Sequence, residues 1–285
     1  MPRLFAIEND AGEKWDLNGN QGIFLYSPSG LGIKDELITS DLGYGFFRDL
    51  NNKKVPSEPI VGDLLFLPGN PYKIYRDFLS FVFNSKKLKI LYRPYGTDTY
   101  YIDGRFEYLE KEELDKSGTL IVPFNFKPFT LWYRQKTLDL IMRQHVENDM
   151  TYPFEYSSNL VYGSIYTGSY EVEINPYGHV EAAIKFVYAG ELENPILKLY
   201  GKDSEIEYGE CGVTKSSVTG FSYSSVYNDC FVKDGSGEDL LNYISPEHTP
   251  YFRIPKDEAC ILRLIASNEL TGEANVSVYY YFRSV

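Results

Sequence analysis

The side chains of this chain that are best suited to chemistry are its carboxylates, and three glutamates lie close together in the second half. These candidates are Glu171, Glu173 and Glu181. A glycosidase needs two carboxyl groups at a defined separation across the bond that is cleaved. Glu171 and Glu173 alternate with Val172 and Ile174, which predicts a strand with both carboxylates on its solvent side. We therefore interpret them as solvated surface acids, and hydrolase activity is the least favoured function for this chain.

Histidine is a frequent general base, but the three histidines of this chain are dispersed. His145, His179 and His248 lie more than 30 residues apart, and none belongs to an HExxH or His-x-His arrangement. The sequence contains no GxSxG nucleophile elbow and no GxxxxGK(S/T) phosphate loop. Residues 43–45 (GYG) lack the later glycine of a dinucleotide-binding turn. The sequence thus predicts no catalytic residue and no cofactor-binding residue.

Metal sites are not predicted either. Residues 234–239 (DGSGED) combine carboxylates with glycines, but the ligand spacing of an EF-hand is missing, so we interpret them as a solvated β-turn. Cys211, Cys230 and Cys260 include no CxxC pair, which excludes a zinc ribbon. An odd number of cysteines in a chain made in the cytosol disfavours a disulfide framework, and we interpret all three as buried thiols.

Charge divides the chain into two regions. Up to Lys136 there are 18 basic and 18 acidic residues, whereas from Thr137 onward there are 10 basic and 22 acidic ones. This asymmetry indicates two domains, and the second lacks the basic face that binding to nucleic acid requires. The densest basic cluster is Lys86, Lys87 and Lys89. Because it follows a predicted helix, where cations suit the helix dipole, we do not interpret it as a nucleic-acid patch.

Length and hydropathy indicate the kind of protein. With 285 residues and 16% aromatic residues, the chain can bury a substantial core. No apolar run approaches the ~20 residues that span a bilayer. Charge within the first eight residues interrupts any secretory segment. The sequence predicts a soluble protein that is made in the cytosol and does not enter a membrane.

One helix is predicted among the strands of the first region. Asn70 can cap it and Pro71 suits its first position, so the helix should cover residues 70–87. Its amphipathic stripe consists of Tyr75, Phe78, Leu79 and Val82.

The helix is followed by segments in which apolar residues alternate. These predict a hairpin of strands 88–93 and 100–108 around a turn at 94–98. A further strand at 120–126 contains Pro123, which should place it at a sheet edge or a bulge. Two more strands are predicted upstream, at 43–48 and 62–67.

The second region consists of short alternating segments between glycine-rich turns, with no convincing helix. This pattern is typical of an antiparallel β-sandwich. Residues 138–168 lack periodicity and are predicted to be a linker, in which 138–146 could form a short helix. The predicted domains are therefore 1–137 and 169–285.

Five segments carry a resemblance to a known family. They are LKILYR at 88–93, YYIDG at 100–104, LEKEE at 109–113, IVPFNF at 121–126 and LWY at 131–133. Together with the order of the elements, they resemble the distal tail protein, or baseplate hub, of long-tailed bacteriophages and prophages of Gram-positive bacteria. The resemblance covers residues 22–133, whereas the second region matches in pattern and position alone.

The resemblance implies a fold and a role. The fold class would be mainly β, with a β-barrel-like belt domain that carries one α-helix and a β-hairpin, followed by a galectin-like antiparallel β-sandwich. Six copies would form a ring that joins the tail tube protein to the tail tip or tail-associated protein, and a receptor-binding protein would be a further partner. Such a protein is a non-enzymatic part of the virion, assembled in the cytoplasm of the bacterial host, and it uses no cofactor.

Ring contacts and one alternative function complete the expectations. In the hairpin, Tyr95, Tyr100 and Tyr101 are predicted to lie near the contact between copies, because tyrosine suits protein interfaces. The alternative is a carbohydrate-binding module in the sandwich. The two tryptophans, Trp15 and Trp132, lie outside it. Three tyrosines could supply an aromatic platform instead: Tyr223, Tyr227 and Tyr243.

Overall fold

A computed structural model describes residues 3–32, 39–41, 47–49, 58–95, 98–146, 166–204, 206–244 and 250–285. The chain divides into two compact units, which we call the first and the second unit. The first unit comprises Met1–Arg134 and Tyr281–Val285, and the second comprises Gln135–Tyr280. The residues after Tyr280 thus return to the first unit. Within the described residues, no helix is long and apolar enough to cross a membrane.

The described residues of the first unit form antiparallel strands and one helix. Its strands are β1 (Arg3–Asn9), β2 (Lys14–Asp16), β3 (Ile23–Ser29), β4 (Thr39–Asp41), β5 (Phe47–Asp49), β6 (Ile60–Phe66), β7 (Leu88–Pro94), β8 (Tyr100–Leu109), β9 (Leu120–Pro128) and the start of β10 (Trp132–Asp139). Seven of them pair in the order β2-β1-β7-β8-β9-β6-β3, and β4 pairs with β5. A single bridge between Asn18 and Phe24 links the two ends of this order, in place of the full ladder that would close a barrel.

The helix α1 (Pro71–Asn84) confirms the predicted element and covers the inner face of these strands. Phe78 is its central residue, because its ring packs against those of Trp15, Phe66, Phe81 and Phe106. The helix ends at Asn84, before Lys86 and Lys87, which the predicted helix included. Ser85 is already extended, and its hydroxyl donates to the carbonyl of Phe81, which satisfies one orphan acceptor of the last turn.

The predicted hairpin of β7 and β8 is confirmed, with Ile90 opposite Ile102. Gly104 shows why β8 can also pair with β9. A Cβ atom at this position would collide with the carbonyl oxygen of Lys127 and the ring of Phe126. Glycine is therefore needed where the two strands approach most closely.

Of the two predicted positions for Pro123, a sheet edge or a bulge, the edge is wrong, whereas the register of β8 and β9 does shift nearby, between Phe106 and Tyr108. Strand β9 lies between β6 and β8, with Pro123 opposite Asp63. The Pro123 carbonyl accepts a hydrogen bond from the amide of Glu110, just after β8 ends at Leu109. The amide hydrogen that proline lacks would face that same side, away from β6, so the pairing of β9 with β6 loses no bond.

The second unit consists of two antiparallel sheets. Its strands are the end of β10, β11 (Ile141–Val146), β12 (Tyr166–Ile174), β13 (Ala183–Leu192), β14 (Ile196–Gly201), β15 (Glu207–Gly212), β16 (Val218–Val226), β17 (Asp229–Asp234), β18 (Cys260–Ile265) and β19 (Glu273–Phe282). One sheet contains the order β17-β16-β13-β19, and the other has the order β11-β12-β18-β14-β15. Along β14 and β18, buried residues alternate strictly with less buried ones, so one face of each of these strands supplies the core. A mainly β chain is thus confirmed.

Several local expectations for the second half need correction. Residues 138–146 are not helical, because β10 continues to Asp139 and β11 then pairs with β12. Phe252 and Ile254, whose alternation predicts one of the short strands of the second region, form a single bridge from Ile254 to Ala182 instead. The predicted strand at 43–48 is described only from Phe47 onward, in β5, and residues 147–165 of the predicted linker lie outside the described residues.

Candidate functional site

The candidate catalytic glutamates do not converge. Glu171 is 4% exposed and accepts a hydrogen bond from the Arg263 guanidinium of the neighbouring strand β18, so its predicted position in solvent is wrong. Glu173 is exposed and pairs with Lys202 at 2.9 Å, and Glu181 is exposed as well. The burial of Glu171 comes from its long cationic neighbour, which alternation along a single strand does not show.

In the turn at residues 234–239, the carboxylate of Asp234 accepts hydrogen bonds from the turn itself. Asp234 accepts hydrogen bonds from the Ser236 hydroxyl at 2.7 Å and from the amides of Ser236 and Glu238 at 2.9 Å. The hydroxyl bond is the main cause that lowers the pKa of Asp234. Within the described residues, no group of three or more His, Cys, Asp or Glu could hold a metal ion.

The cysteines are in two kinds of environment. Cys211 and Cys260 are buried, as predicted, and burial raises their pKa to about 12 and about 11. Cys230 is exposed, which corrects the prediction for that residue. Among the histidines, His179 is exposed, and the side chains of the other two lie outside the described part of the chain.

The three hairpin tyrosines lie on different surfaces of the first unit. Tyr95, at the turn after β7, is 77% exposed. Tyr100 packs edge-on against Phe282, with ring centroids 5.2 Å apart. Tyr101 points to the opposite face of β8 and stacks on Tyr133 at 5.7 Å. The structure therefore does not bring the three rings together, and their role at a contact between copies stays a prediction.

The tyrosines considered for sugar binding do not form a platform. Tyr223 is fully buried, and its hydroxyl accepts a hydrogen bond from the Phe252 amide at 2.9 Å. Tyr227 is 48% exposed, but the guanidinium of Arg253 lies 3.6 Å from its ring centroid. Tyr243 is 36% exposed and lies beneath Lys215. A sugar ring stacks on an uncovered aromatic face, which this set does not provide.

A surface that the sequence did not single out lies on the outer side of β3, β6 and β9. Cross-strand pairing places Phe24, Leu65 and Ile121 in one row, and Tyr26, Asp63 and Pro123 in the next. The amides of Glu110 and Glu112 bond to the carbonyls of Pro123 and Ile121, which extends the two rows by two carboxylates. We call this set of eight residues the sheet face. It exposes Phe24 by 39% and Tyr26 by 56%.

A second surface is the exposed side of α1 with the segment that follows it. Phe83 is 79% exposed there, the largest exposed fraction among the large hydrophobic residues described. Four cations accompany it: Lys73, Arg76, Lys86 and Lys87. We call these five residues the helix side. Next to Phe83, a hollow of about 330 Å³ opens between α1 and β8.

The sequence held a weak signal for both surfaces. Ile23 and Leu25 are buried while Phe24 and Tyr26 are exposed, so the whole run is apolar although only alternate residues enter the core. Phe83 directly follows Val82, the last residue of the predicted stripe, and therefore falls outside that stripe. Apolar residues at positions that periodicity assigns to solvent are the pattern that would have indicated them.

Comparisons with known proteins agree with the fold. Residues 4–129 match the family model described as "Distal tail protein, N-terminal domain". The baseplate of phage P2 in its activated conformation with Ca contains a chain with 17% identity and a TM-score of 0.67, and the match covers 100% of both chains. The SPP1 Dit (gp 19.1) protein, a hub of the adsorption apparatus of a phage that infects Gram-positive bacteria, has 12% identity and a TM-score of 0.57, over 97% of this chain and 98% of that one. No curated protein sequence matches this chain.

Proposed function

We propose that this chain, whose residues 4–129 belong to the family of distal tail protein N-terminal domains, forms a hexameric ring at the distal end of a phage tail. Membership of this family confirms the resemblance that the sequence predicted. The chain is accordingly a structural component of a phage tail or baseplate. The match at residues 4–129 is the observation that carries the proposal, because it falls on the unit that would form the ring.

The surface of the first unit supports a role in self-assembly. Its large apolar side chains include Phe83 and Tyr95, which are 79% and 77% exposed. Aromatic residues are enriched at protein interfaces, and solvated surfaces seldom keep them this exposed. A ring needs two different, complementary surfaces on every copy, and the first unit has several candidates.

The second unit is proposed to project from the ring as a galectin-like sandwich. Its acidic surface would keep the assembly soluble and away from nucleic acid. The tail tube protein and the tail tip protein would bind the ring, and a receptor-binding protein would be anchored by it. We propose a non-enzymatic role, with assembly in the host cytoplasm, and the limits 1–137, 138–168 and 169–285 for belt, linker and sandwich.

The oligomeric state of the full chain tests the ring. Sedimentation velocity and negative-stain micrographs of the purified protein should show a species of six copies with six-fold annuli. Tyr95→Ala should weaken this assembly without lowering the thermal midpoint, because the ring of Tyr95 is exposed. Tyr177→Ala, which removes a tyrosine that is 50% exposed in the second unit, is the matched control. A wild-type chain that stays monomeric at high concentration would overturn the proposal.

A further inference from the structure

We propose that the helix side of one copy receives the sheet face of the next copy in the ring. This inference rests on the proposed function and adds a contact to the predicted tyrosines. The occupant of each surface is thus a second copy of this chain.

The two surfaces lie on opposite sides of the first unit. The ring of Phe66, on β6, packs against Tyr75 and Phe78 of α1, with centroids 5.3 and 5.9 Å apart. Asp63 and Leu65 alternate with Phe66 along the same strand and therefore point away from the helix. One copy cannot bring its own helix side to its own sheet face, whereas two copies in head-to-tail order can.

The charges of the two surfaces are complementary. The sheet face contains three carboxylates, those of Asp63, Glu110 and Glu112, and no cation. The next row along β9 is uncharged on the strands beside it, with Asn125 opposite Val61 and Tyr108, and the row after that is basic, with Lys127 opposite Arg105.

The helix side has the opposite balance. Lys73, Arg76, Lys86 and Lys87 carry four positive charges, against Asp77 on the helix and Asp10 at the amide of Lys86. The hollow beside Phe83 adds one charge of each sign, from Arg105 and Glu107, so the balance stays positive. Among the described residues, none of these four cations and none of the three sheet-face carboxylates forms an ion pair. Opposite charges without partners on two different surfaces favour contact between them and suppress contact of either surface with itself.

The apolar parts fit as well. Phe24 and Tyr26 stand two residues apart on the exposed side of β3. The hollow beside Phe83 has a volume of about 330 Å³, and Tyr75, Leu79 and Val82 line its helical wall. An aromatic side chain of the sheet face can enter this hollow while Phe83 packs on Ile121 and Pro123. Buried aromatic anchors surrounded by charges are the usual anatomy of a specific interface.

Two variants of the full chain test the contact from its two sides. Phe83→Glu places a carboxylate on the helix side, where it would meet the acidic sheet face. Tyr26→Glu places one in the apolar part of the sheet face. Each should weaken association by at least about 30-fold per contact, the range of an interface hot spot, and leave a monomer in sedimentation velocity at concentrations where the wild type forms rings.

Mixing the two variants distinguishes a head-to-tail contact between the two surfaces from a separate defect in each variant. The Phe83→Glu chain keeps an intact sheet face, and the Tyr26→Glu chain keeps an intact helix side. An equimolar mixture should therefore give a one-to-one dimer and no larger species, because the two surfaces left over both carry the added carboxylate. The dimer also demonstrates that both variants are folded.

The matched control is Ile206→Glu, which makes the same kind of change at a residue of the second unit that is 56% exposed, as Tyr26 is. It should form rings like the wild type. Rings from the wild type and equally from Phe83→Glu or Tyr26→Glu would overturn this contact while leaving the proposed function intact, and the helix side would then be free for another tail protein. Monomeric variants whose mixture gives no dimer would also overturn it. A monomeric wild type would overturn the proposed function and this contact together.

Discussion

The two units use similar strands for different surfaces. In the first unit, aromatic side chains occur on both sides of the sheet and of the helix: Phe66 and Phe78 are fully buried, whereas Phe24 and Phe83 face solvent. In the second unit, the surface is acidic, and its most exposed large hydrophobic residue among those described is Ile206, at 56%. The difference indicates that hydrophobic content alone does not distinguish a core from an interface. A core and an interface are distinguished by the side of the strand or helix on which the hydrophobic residues lie.

The largest expected effect tests whether the two units unfold independently. Phe78→Ala should lower the free energy of unfolding of the first unit by about 4 kcal/mol, because it leaves a cavity among four aromatic rings. Both tryptophans, Trp15 and Trp132, belong to the first unit, so their fluorescence during urea unfolding reports on that unit.

The matched variant is Phe186→Ala in the core of the second unit. It should lower the midpoint seen by far-UV circular dichroism and leave the tryptophan midpoint unchanged. If both variants shift the tryptophan midpoint and the circular dichroism midpoint equally, the chain unfolds as one cooperative body and the two units are not independently stable.

The next effect concerns the residues that return to the first unit. Phe282 is 6% exposed and packs against Tyr100. Phe282→Ala should therefore destabilise the first unit by about 3 kcal/mol, as a large-to-small change in a core does. Tryptophan fluorescence should show a lower urea midpoint, although residue 282 follows the second unit along the chain. Phe252→Ala, at a buried phenylalanine of the second unit, should leave the tryptophan midpoint unchanged. A midpoint that falls in Phe252→Ala and not in Phe282→Ala would show that Phe282 does not stabilise the first unit.

A smaller effect on stability should distinguish Glu171 from Glu173, two glutamates of β12. Glu171→Gln should destabilise the second unit by about 2 kcal/mol, because it removes the charge that compensates a partly buried guanidinium. Glu173→Gln should cost less than about 0.5 kcal/mol, because its ion pair with Lys202 is exposed to solvent. Far-UV circular dichroism during urea unfolding measures both, and equal costs would show that the burial of Glu171 has no energetic consequence.

The smallest perturbation is chemical labelling of the thiols. The reactive form is the thiolate, and burial raises the pKa of Cys211 to about 12 and that of Cys260 to about 11. Desolvation raises the pKa of Cys230 as well, but this thiol is exposed to the reagent. At pH 8 in the native state, iodoacetamide should therefore label Cys230 before the other two, and all three should react in urea. Rapid native labelling of Cys211 or Cys260 would show that the second unit opens locally.

Local signals in the sequence predicted local structure well. Pro71 and the stripe through Phe78 predicted α1, and alternation predicted the hairpin of β7 and β8, because both patterns depend on neighbours close along the chain. Residues 138–146 were predicted to be part of a linker that could form a short helix there. No regular pattern of apolar residues marks them as a strand, and pairing with β12 decides the conformation of residues 141–146.

Long-range pairing explains the remaining differences. Pro123 suggested an edge, yet its strand is central, because the amide that proline lacks faces the end of β8. Glu171 was expected in solvent, yet Arg263 covers it from a strand about 90 residues further along the chain. Neither partner can be identified from the spacing of residues along one strand.

The amino-acid sequence by itself determined the fold class, the helix α1, the unequal distribution of charge and the resemblance to the distal tail family. Each of these depends on composition or on residues adjacent along the chain. Only the tertiary structure decided that Phe24, Asp63, Ile121 and Glu112 share one surface and that Phe83 stands on the opposite side. These residues come from four separate segments, and a shared surface exists only after the strands have chosen their partners and their register.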